Sequence, residues 1–316
     1  MRCILRASVP PWFSFSWVMQ VALSALLLLA AGCRKSEPER ARPSFIAFAL
    51  DREGADQEIV VVDGEGANLV RLDPESAMDE APCWSPDGLS LVWASNREGY
   101  RGLWEWKKNG DLERVNGAPW LDLAPCFSSD SRSIVFMSNR DGNWQIYRMG
   151  SDGRHHLRLT DDPAANLWPA CSPDGTKIAF VSERSGSKDV FVMDVDGKNA
   201  KALTNDRAWD GRPAWSPDGG LIAWSSDRDG KPAIFAMDRE GQNVRRLTPP
   251  GAECEEPAWS PDGAKIVYVT IRSGLRELWV MNSNGTGHRS LASFPKAVHS
   301  PAWSPFMAEG TWRRGS

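Results

Sequence analysis

The chain has 316 residues, 41% hydrophobic and 25% charged, enough apolar material for one large core or two ordinary ones, which excludes a disordered chain and a small disulfide scaffold. Its formal charge is −4 and no basic run exceeds a few residues, so nucleic acid is not expected as a partner. Sixteen Trp against three Tyr, with 27 Gly and 22 Pro, point to many tight turns between short strands and to an all-β fold.

The first predicted element is an address. Arg2 and Arg6 precede an uncharged stretch from Ala7 to Gly32 that becomes strongly apolar over 21–31, an n-region followed by an h-region. Ala30, Ala31 and Gly32 then lead into Cys33, and the chain turns polar at Arg34 and Lys35. This pattern resembles the lipobox of bacterial lipoproteins. The resemblance implies a signal peptide over 1–32 and a diacylglycerol-modified Cys33, held almost irreversibly to a membrane. Arg34, rather than Asp, follows Cys33, so the resemblance favours the outer membrane over the inner. Residues 33–43 lack apolar periodicity and reach roughly 35 Å even when extended, which keeps the predicted body close to its membrane.

A repeat then organises residues 44–305, with 306–316 expected as a tail. One phrase recurs as Pro82-Cys-Trp-Ser-Pro-Asp-Gly, Pro125-Cys-Phe-Ser-Ser-Asp-Ser, Pro169-Ala-Cys-Ser-Pro-Asp-Gly, Pro213-Ala-Trp-Ser-Pro-Asp-Gly, Pro257-Ala-Trp-Ser-Pro-Asp-Gly and Pro301-Ala-Trp-Ser-Pro, at spacings of 43 and then 44 residues. Each of the first five phrases precedes an apolar run such as Ile178-Ala-Phe-Val, a turn with a recurring Arg, a second run such as Val190-Phe-Val-Met, and a short third run that in several units ends in Leu-Thr. Four strands per repeat make a propeller blade. Ser-Pro-Asp-Gly suits a type I turn, Pro presetting φ and Gly taking positive φ before the next strand. Ser131 stands where the other units have Gly, so a local adjustment is expected there. The outer hairpins, such as Asp194-Val-Asp-Gly, offer too few oxygens at calcium-loop spacing and are expected to be plain turns.

Second-strand runs at Ile46, Leu91, Ile134, Ile178, Ile222 and Ile266 give six blades. The first lacks its inner strand, while the phrase at Pro301 has no blade after it. Pairing the two ends would close the ring and remove an exposed sheet edge. The prediction is therefore a six-bladed β-propeller of four-stranded blades, closed by the C-terminal strand. The combination Pro-Ala-Trp-Ser-Pro-Asp-Gly, Ile-Ala-Phe-x-Ser-x-Arg-x-Gly, Val-Met-Asp-x-Asp-Gly and Leu-Thr resembles the propeller repeats of the TolB family. That resemblance implies a periplasmic, envelope-associated scaffold. The N-terminal α/β domain of TolB has no counterpart in the ten residues between Cys33 and the first blade.

Candidate site residues fall in the loops entering each inner strand. Three residues before the repeated Pro stand Asp79, Asp122, Asn166 and Asp210, with Cys254 and Val298 in the remaining units and Glu80, Glu255 and Glu256 nearby. An acidic rim of this kind could hold a cation or a basic peptide. The favoured alternative is structural, because Arg52, Arg97, Arg140, Arg184, Arg228 and Arg272 recur at the same end of every unit and could pair with the acids from blade to blade. Trp120, Trp168 and Trp209 lie off the strand pattern, either as anchors for a protein or sugar or as plugs between blades. By contrast Trp84, Trp215, Trp259 and Trp303, with Phe127 and Cys171 in register, read as core, as do Trp104, Tyr147, Phe191, Phe235 and Trp279.

Catalysis finds little support. Gly-x-Ser-x-Gly, His-Glu-x-x-His and glycine-rich phosphate loops do not occur, and of the four His only His299 falls on the candidate channel side. No cofactor or metal is expected. Cys83, Cys126, Cys171 and Cys254 are expected as packing residues, since equivalent atoms of diverging blades stand beyond the ~7 Å Cα separation a disulfide tolerates. The reading is a monomeric, non-catalytic lipoprotein that binds envelope proteins or peptides; the rival is a glycan-binding or lyase-like propeller.

Overall fold

A computed structural model describes residues 43–307, apart from 53, 55, 73–76, 117 and 118. The signal peptide, Cys33 and nearly all of the tether lie outside the described residues. Among those described, the strands form six four-stranded antiparallel sheets. Blade 1 joins Phe45–Asp51, Gln57–Asp63 and Val70–Arg71 to the C-terminal Val298–Trp303. Blades 2 and 3 begin with inner strands Asp79–Trp84 and Asp122–Phe127, blades 4 and 5 with Asn166–Cys171 and Asp210–Trp215, and blade 6 with Glu253–Trp259. Each inner strand contacts the next around a closed cycle, so these six strands wall a central channel.

The middle strands are apolar runs rather than alternating ones because blades cover both of their faces. In Lys177–Ser182, Ile178, Ala179, Phe180 and Val181 are all fully buried. The outer strands, such as Lys201–Ala202 and Arg245–Arg246, are short, polar and largely exposed. Short charged edges of this kind resist pairing with other chains.

Closure occurs where the two incomplete ends predict it. Ile46 pairs with Trp303, Ala47 with Ala302 and Leu50 with Val298. Ser304 donates its amide to Phe45 O at 2.8 Å, and Phe45 N donates to Ser304 Oγ at 2.8 Å. The fold continues past the expected boundary at 305. Met307 donates to Pro43 O at 3.0 Å and is 3% exposed, buried against Trp84, Leu91 and Trp93.

The Ser-Pro-Asp-Gly turns work as a unit. In blade 4 the Ser172 hydroxyl donates to Asp174 Oδ1 at 2.6 Å and accepts from Lys177 N at 2.9 Å, while Gly175 takes φ 71°. With Ser172 O–H and the Thr176 amide and hydroxyl all donating to it, the Asp174 carboxyl falls to about 2. Ser131 keeps the same turn at φ 59°, without the expected adjustment. Its amide still donates to Ser128 O at 2.9 Å, and Ser128 Oγ still binds Asp130 at 2.6 Å. The side-chain bonds hold a backbone angle that Gly adopts freely. In the outer hairpins the turn's own donors occupy the carboxylate: Asp238 accepts from Glu240 N, Gln242 N and Asn243 Nδ2.

Candidate functional site: the channel mouth

The repeated arginines and the acids of the predicted rim meet inside single blades. Arg140 Nη2 donates to both Asp122 oxygens at 3.0 Å, Arg228 Nη2 to both Asp210 oxygens at 3.1 Å, and Arg97 Nη2 to Asp79 at 3.2 and 3.3 Å. In blade 4 Asn166 Oδ1 accepts from Arg184 Nη2 at 3.0 Å. Each guanidinium also donates Nε to a serine of its second strand, as Arg228 does to Ser226 Oγ at 2.9 Å, and lies over the third-strand aromatic, as Arg228 does over Phe235 at 5.0 Å. The pairing is thus not blade to blade as expected. The arginine follows the second strand and the acid begins the inner strand hydrogen-bonded to it, so both occupy one sheet edge.

This arrangement buries Asp79, Asp122, Asn166 and Asp210 at 0–2% exposure, away from the channel. Blade 6 departs from it. Cys254 replaces the acid, its thiol contacting Thr270 Oγ1 at 3.6 Å, and Arg272 is exposed over Trp279 at 4.9 Å. Beside them is a cavity of about 520 Å³ that also reaches Tyr268 and His288. Arg52, in the first blade, donates its amide to Asp56 O at 2.9 Å.

The residues that do line the channel come from a different repeat position. Every inner strand carries a β-bulge where register shifts, for example between Gly211 and Ala214 or between Glu255 and Ala258. The bulge accommodates the repeated Pro, which has no N–H to give to the ladder. It puts the preceding residue at positive φ in all six strands: Ala81, Ala124, Trp168, Arg212, Glu256 and Ser300, at 47–61°. These six and their prolines line a cavity of about 150 Å³ at the centre of the ring. A non-glycine residue at such an angle is strained by about 1–3 kcal/mol, and six in one ring aim six side chains at one point.

The mouth has two unlike halves. On one side Arg212 Nε lies 3.3 Å from Glu256 Oε1, and Arg212 Nη1 donates to Ser300 Oγ at 2.9 Å. Glu256 also binds Arg276 Nη2 at 3.0 Å and accepts the Ser300 amide at 2.6 Å. Burial pushes the Glu256 carboxyl up, but Arg212, Arg276 and the Ser300 amide outweigh it and hold the carboxyl below its ordinary range. Beside it, burial and then Arg276 hold the His299 imidazole below its ordinary value, with Nε2 3.0 Å from Asp51 Oδ1. The other half offers only Ala81, Ala124 and the indole of Trp168.

Two of the three off-pattern tryptophans meet at this mouth. Trp168 is on an inner strand, not in a loop, and packs edge-on against Trp209 with ring centroids 6.1 Å apart. Arg212 and Lys188 sit over the Trp168 ring at 5.5 and 5.3 Å. Trp209 is fixed by Asp227, whose Oδ1 accepts its amide at 2.7 Å, and it closes over Gly211, where a Cβ would come within 2.6 Å of the indole. Trp120 is separate, 40% exposed, with Arg140 over its ring at 5.0 Å. Glu255 pairs with Arg276 at 3.0 Å and Glu80 with Arg101 at 2.9 Å. Among the described residues no group of three or more His, Cys, Asp or Glu could hold a metal ion.

Of the strand residues expected in the core, Trp84, Phe127, Tyr147, Phe191, Trp215, Phe235 and Trp259 are buried, whereas Trp104, Cys171, Trp279 and Trp303 are half-buried against it. Trp84, Trp215 and Trp259 are 5–9% exposed, and each spans to the neighbouring blade. Ala81, Ala124, Arg212 and Ser300 were not among the sequence candidates. The signal was present: the residue before the repeated Pro is Ala, Ala, Trp, Arg, Glu and Ser, the least uniform place in an otherwise regular phrase.

Comparison with known proteins fits this architecture. A family model described as the TolB beta propeller domain matches residues 158–308. The structure is similar to TolB from Acinetobacter baumannii, at 26% identity over 83% of this chain and 67% of that one, with a TM-score of 0.76. It is also similar to the putative TolB from Agrobacterium tumefaciens, at 23% identity, 82% and 91% coverage and a TM-score of 0.68. An oligogalacturonate lyase from Vibrio parahaemolyticus shares the fold at 17% identity, 79% and 73% coverage and a TM-score of 0.54. No curated protein sequence matches the chain. A repeated phrase, a ring closed by its own last strand and these matches together make the chain a six-bladed β-propeller homologous to propellers of the TolB type.

Proposed function

We propose that the protein is a non-catalytic scaffold of the bacterial cell envelope, anchored by lipid at Cys33, whose channel mouth binds a protein or peptide. The observation that carries this reading is the six-residue ring before the repeated prolines, an apolar and aromatic half facing a polar half in which Arg212 and Ser300 are partly exposed around the buried Glu256. A peptide can place an apolar side chain against Trp168, Ala81 and Ala124 while its backbone meets Arg212 and Ser300, a combination of aromatic anchor and fixed polar groups typical of protein recognition. The similarity to TolB at 26% identity, against 17% for the lyase, favours a scaffold over a carbohydrate-active enzyme. The lipobox and the short tether support a body that faces the periplasm near its membrane, with Arg34 favouring the outer one.

Whole-cell crosslinking followed by partner identification supplies the ligand for a binding assay. Trp168→Ala is expected to weaken that complex by at least about tenfold, the effect of losing an aromatic hot spot, when measured well below a melting midpoint that the lost packing against Trp209 lowers, whereas Trp120→Ala leaves affinity unaltered. Equal affinities for all three proteins would overturn the channel mouth as the docking surface, and a hit on a glycan array dependent on added metal would favour the lyase-like rival. For the anchor, mass spectrometry of the membrane-extracted protein is expected to find an N-terminal peptide beginning at Cys33 and carrying diacylglycerol; an unmodified Cys33 would refute acylation there.

A further inference from the structure

At three of the gaps between blades, neighbouring inner strands are stitched by a recurring contact. Trp84 Nε1 donates to Ala302 O at 3.2 Å, Trp215 Nε1 to Ala170 O at 3.1 Å and Trp259 Nε1 to Ala214 O at 3.1 Å. In each case the indole belongs to one blade and the carbonyl to the preceding blade, one repeat position earlier in the phrase. The gap between blades 3 and 4 departs from the pattern at both positions at once. Cys171 stands where those three gaps have Trp, and Cys126 stands where they have Ala; the gap between blades 2 and 3 has Phe127 and Cys83 at these positions.

The substituted pair keeps the geometry of the stitch. Cys171 Sγ approaches Cys126 O at 3.8 Å, the counterpart of the carbonyl that the indoles reach, and its sulfur lies 2.6 Å from Cys126 Sγ. Cysteines at equivalent positions diverge with their blades. These two are offset by one position, and that offset turns their side chains toward each other across the gap. Cys83 occupies the same repeat position as Cys126, but the position offset by one in the next blade holds Phe127 rather than a cysteine.

We propose that Cys126 and Cys171 form a disulfide that joins blades 3 and 4 covalently in the oxidising envelope, in place of the tryptophan stitch used at other gaps; the cellular part of this proposal rests on the export reading above. The oxidant is the disulfide of a thiol–disulfide oxidoreductase, for which oxidised glutathione substitutes in vitro. Cys171 is partly exposed and lines an open cavity of about 230 Å³ with Ser128, Ser129 and Asp174, which makes it the accessible sulfur. Its thiolate attacks the donor disulfide, giving a mixed disulfide and releasing one donor thiol. Cys126, buried beside it, then attacks Cys171 Sγ and releases the second donor thiol. The two cysteines lose two electrons and two protons, and the donor disulfide is reduced to two thiols.

Envelope-derived full-length protein, alkylated without reduction and digested, is expected to yield one crosslinked peptide pair containing Cys126 and Cys171, with Cys83 and Cys254 alkylated. Reduction of the folded protein is expected to lower its melting midpoint by roughly 5–10 °C. The double variant Cys126→Ala, Cys171→Trp recreates the pair found at the three stitched gaps and is expected to fold with a midpoint indifferent to reductant. A crosslink that forms with oxidised glutathione but is missing from envelope-derived protein would uphold the pairing and overturn the oxidising location. Free Cys126 and Cys171 after both treatments, or a crosslink between Cys83 and Cys126, would overturn the pairing itself.

Discussion

Deletion of residues 298–307 is expected to abolish the cooperative folding of the propeller. The segment contributes less than a twentieth of the chain but supplies the inner strand of blade 1. Without it, the edge of Phe45–Asp51 loses its pairing partner, and Ile46, Phe48 and Leu50 lose the cover of Val298. Trp303 leaves the same cluster, and the loss of Met307 and Ala302 opens the one around Trp84 and Trp93. At about 1.5–3 kcal/mol for each large apolar side chain returned to water, the sum is of the same order as the roughly 5–15 kcal/mol that holds an ordinary domain together. The freed edge Phe45-Ile-Ala-Phe-Ala-Leu is apolar and would pair with other copies. The truncated protein should therefore show no cooperative thermal transition and should elute as aggregates, and a peptide of residues 298–307 supplied during refolding should restore a monomer. A truncated monomer that melts at the full-length midpoint would show that the ring does not depend on its closure strand.

Replacing Asp210 should separate a buried ion pair from a buried hydrogen bond. Asp210 Oδ1 accepts from Trp224 Nε1 at 3.0 Å as well as from Arg228, and both Asp210 and Trp224 are fully buried. Asp210→Ala leaves a guanidinium and a buried indole N–H without that acceptor, a loss of about 3–5 kcal/mol. Asp210→Asn should cost only about 1 kcal/mol, because one oxygen still serves both donors. Blade 4 contains the precedent: Asn166 accepts from Arg184 while its own amide donates to Gln145 Oε1 at 3.0 Å and Asp162 Oδ2 at 3.1 Å. One repeat on, Asp189 and Asp206 stand at the positions of Gln145 and Asp162, and Asp206 shares Arg228 Nη2 with Asp210, so acceptors for the new amide are expected there. Urea midpoints of the three proteins should fall in the order Asp, Asn, Ala, with a wide second step. Equal losses for Asn and Ala would mean that the charge, not the acceptor, holds the blade edge.

Much of this molecule was legible in one dimension because its architecture is local and repeated. A phrase that recurs every 44 residues announces a blade, Ser-Pro-Asp-Gly announces the turn after each inner strand, and two incomplete ends announce their own pairing. The packing role of Trp84, Trp215 and Trp259 followed from their common register. What the repeat could not show was direction across the ring. Asp122 and Arg140 lie 18 residues apart and belong to one sheet edge, yet in a list of equivalent loops they could as easily have met a neighbour's partner. The channel ring depended on a bulge that rotates the residue before each Pro inward, and a bulge alters the period of two on which strand reading relies. Ala81 and Ser300 are unremarkable residues until six such positions converge, and Cys126 and Cys171 look like isolated packing thiols until the one-position offset brings them face to face. Composition and periodicity determine which side chains are buried; only the curvature of the closed ring determines which of them meet.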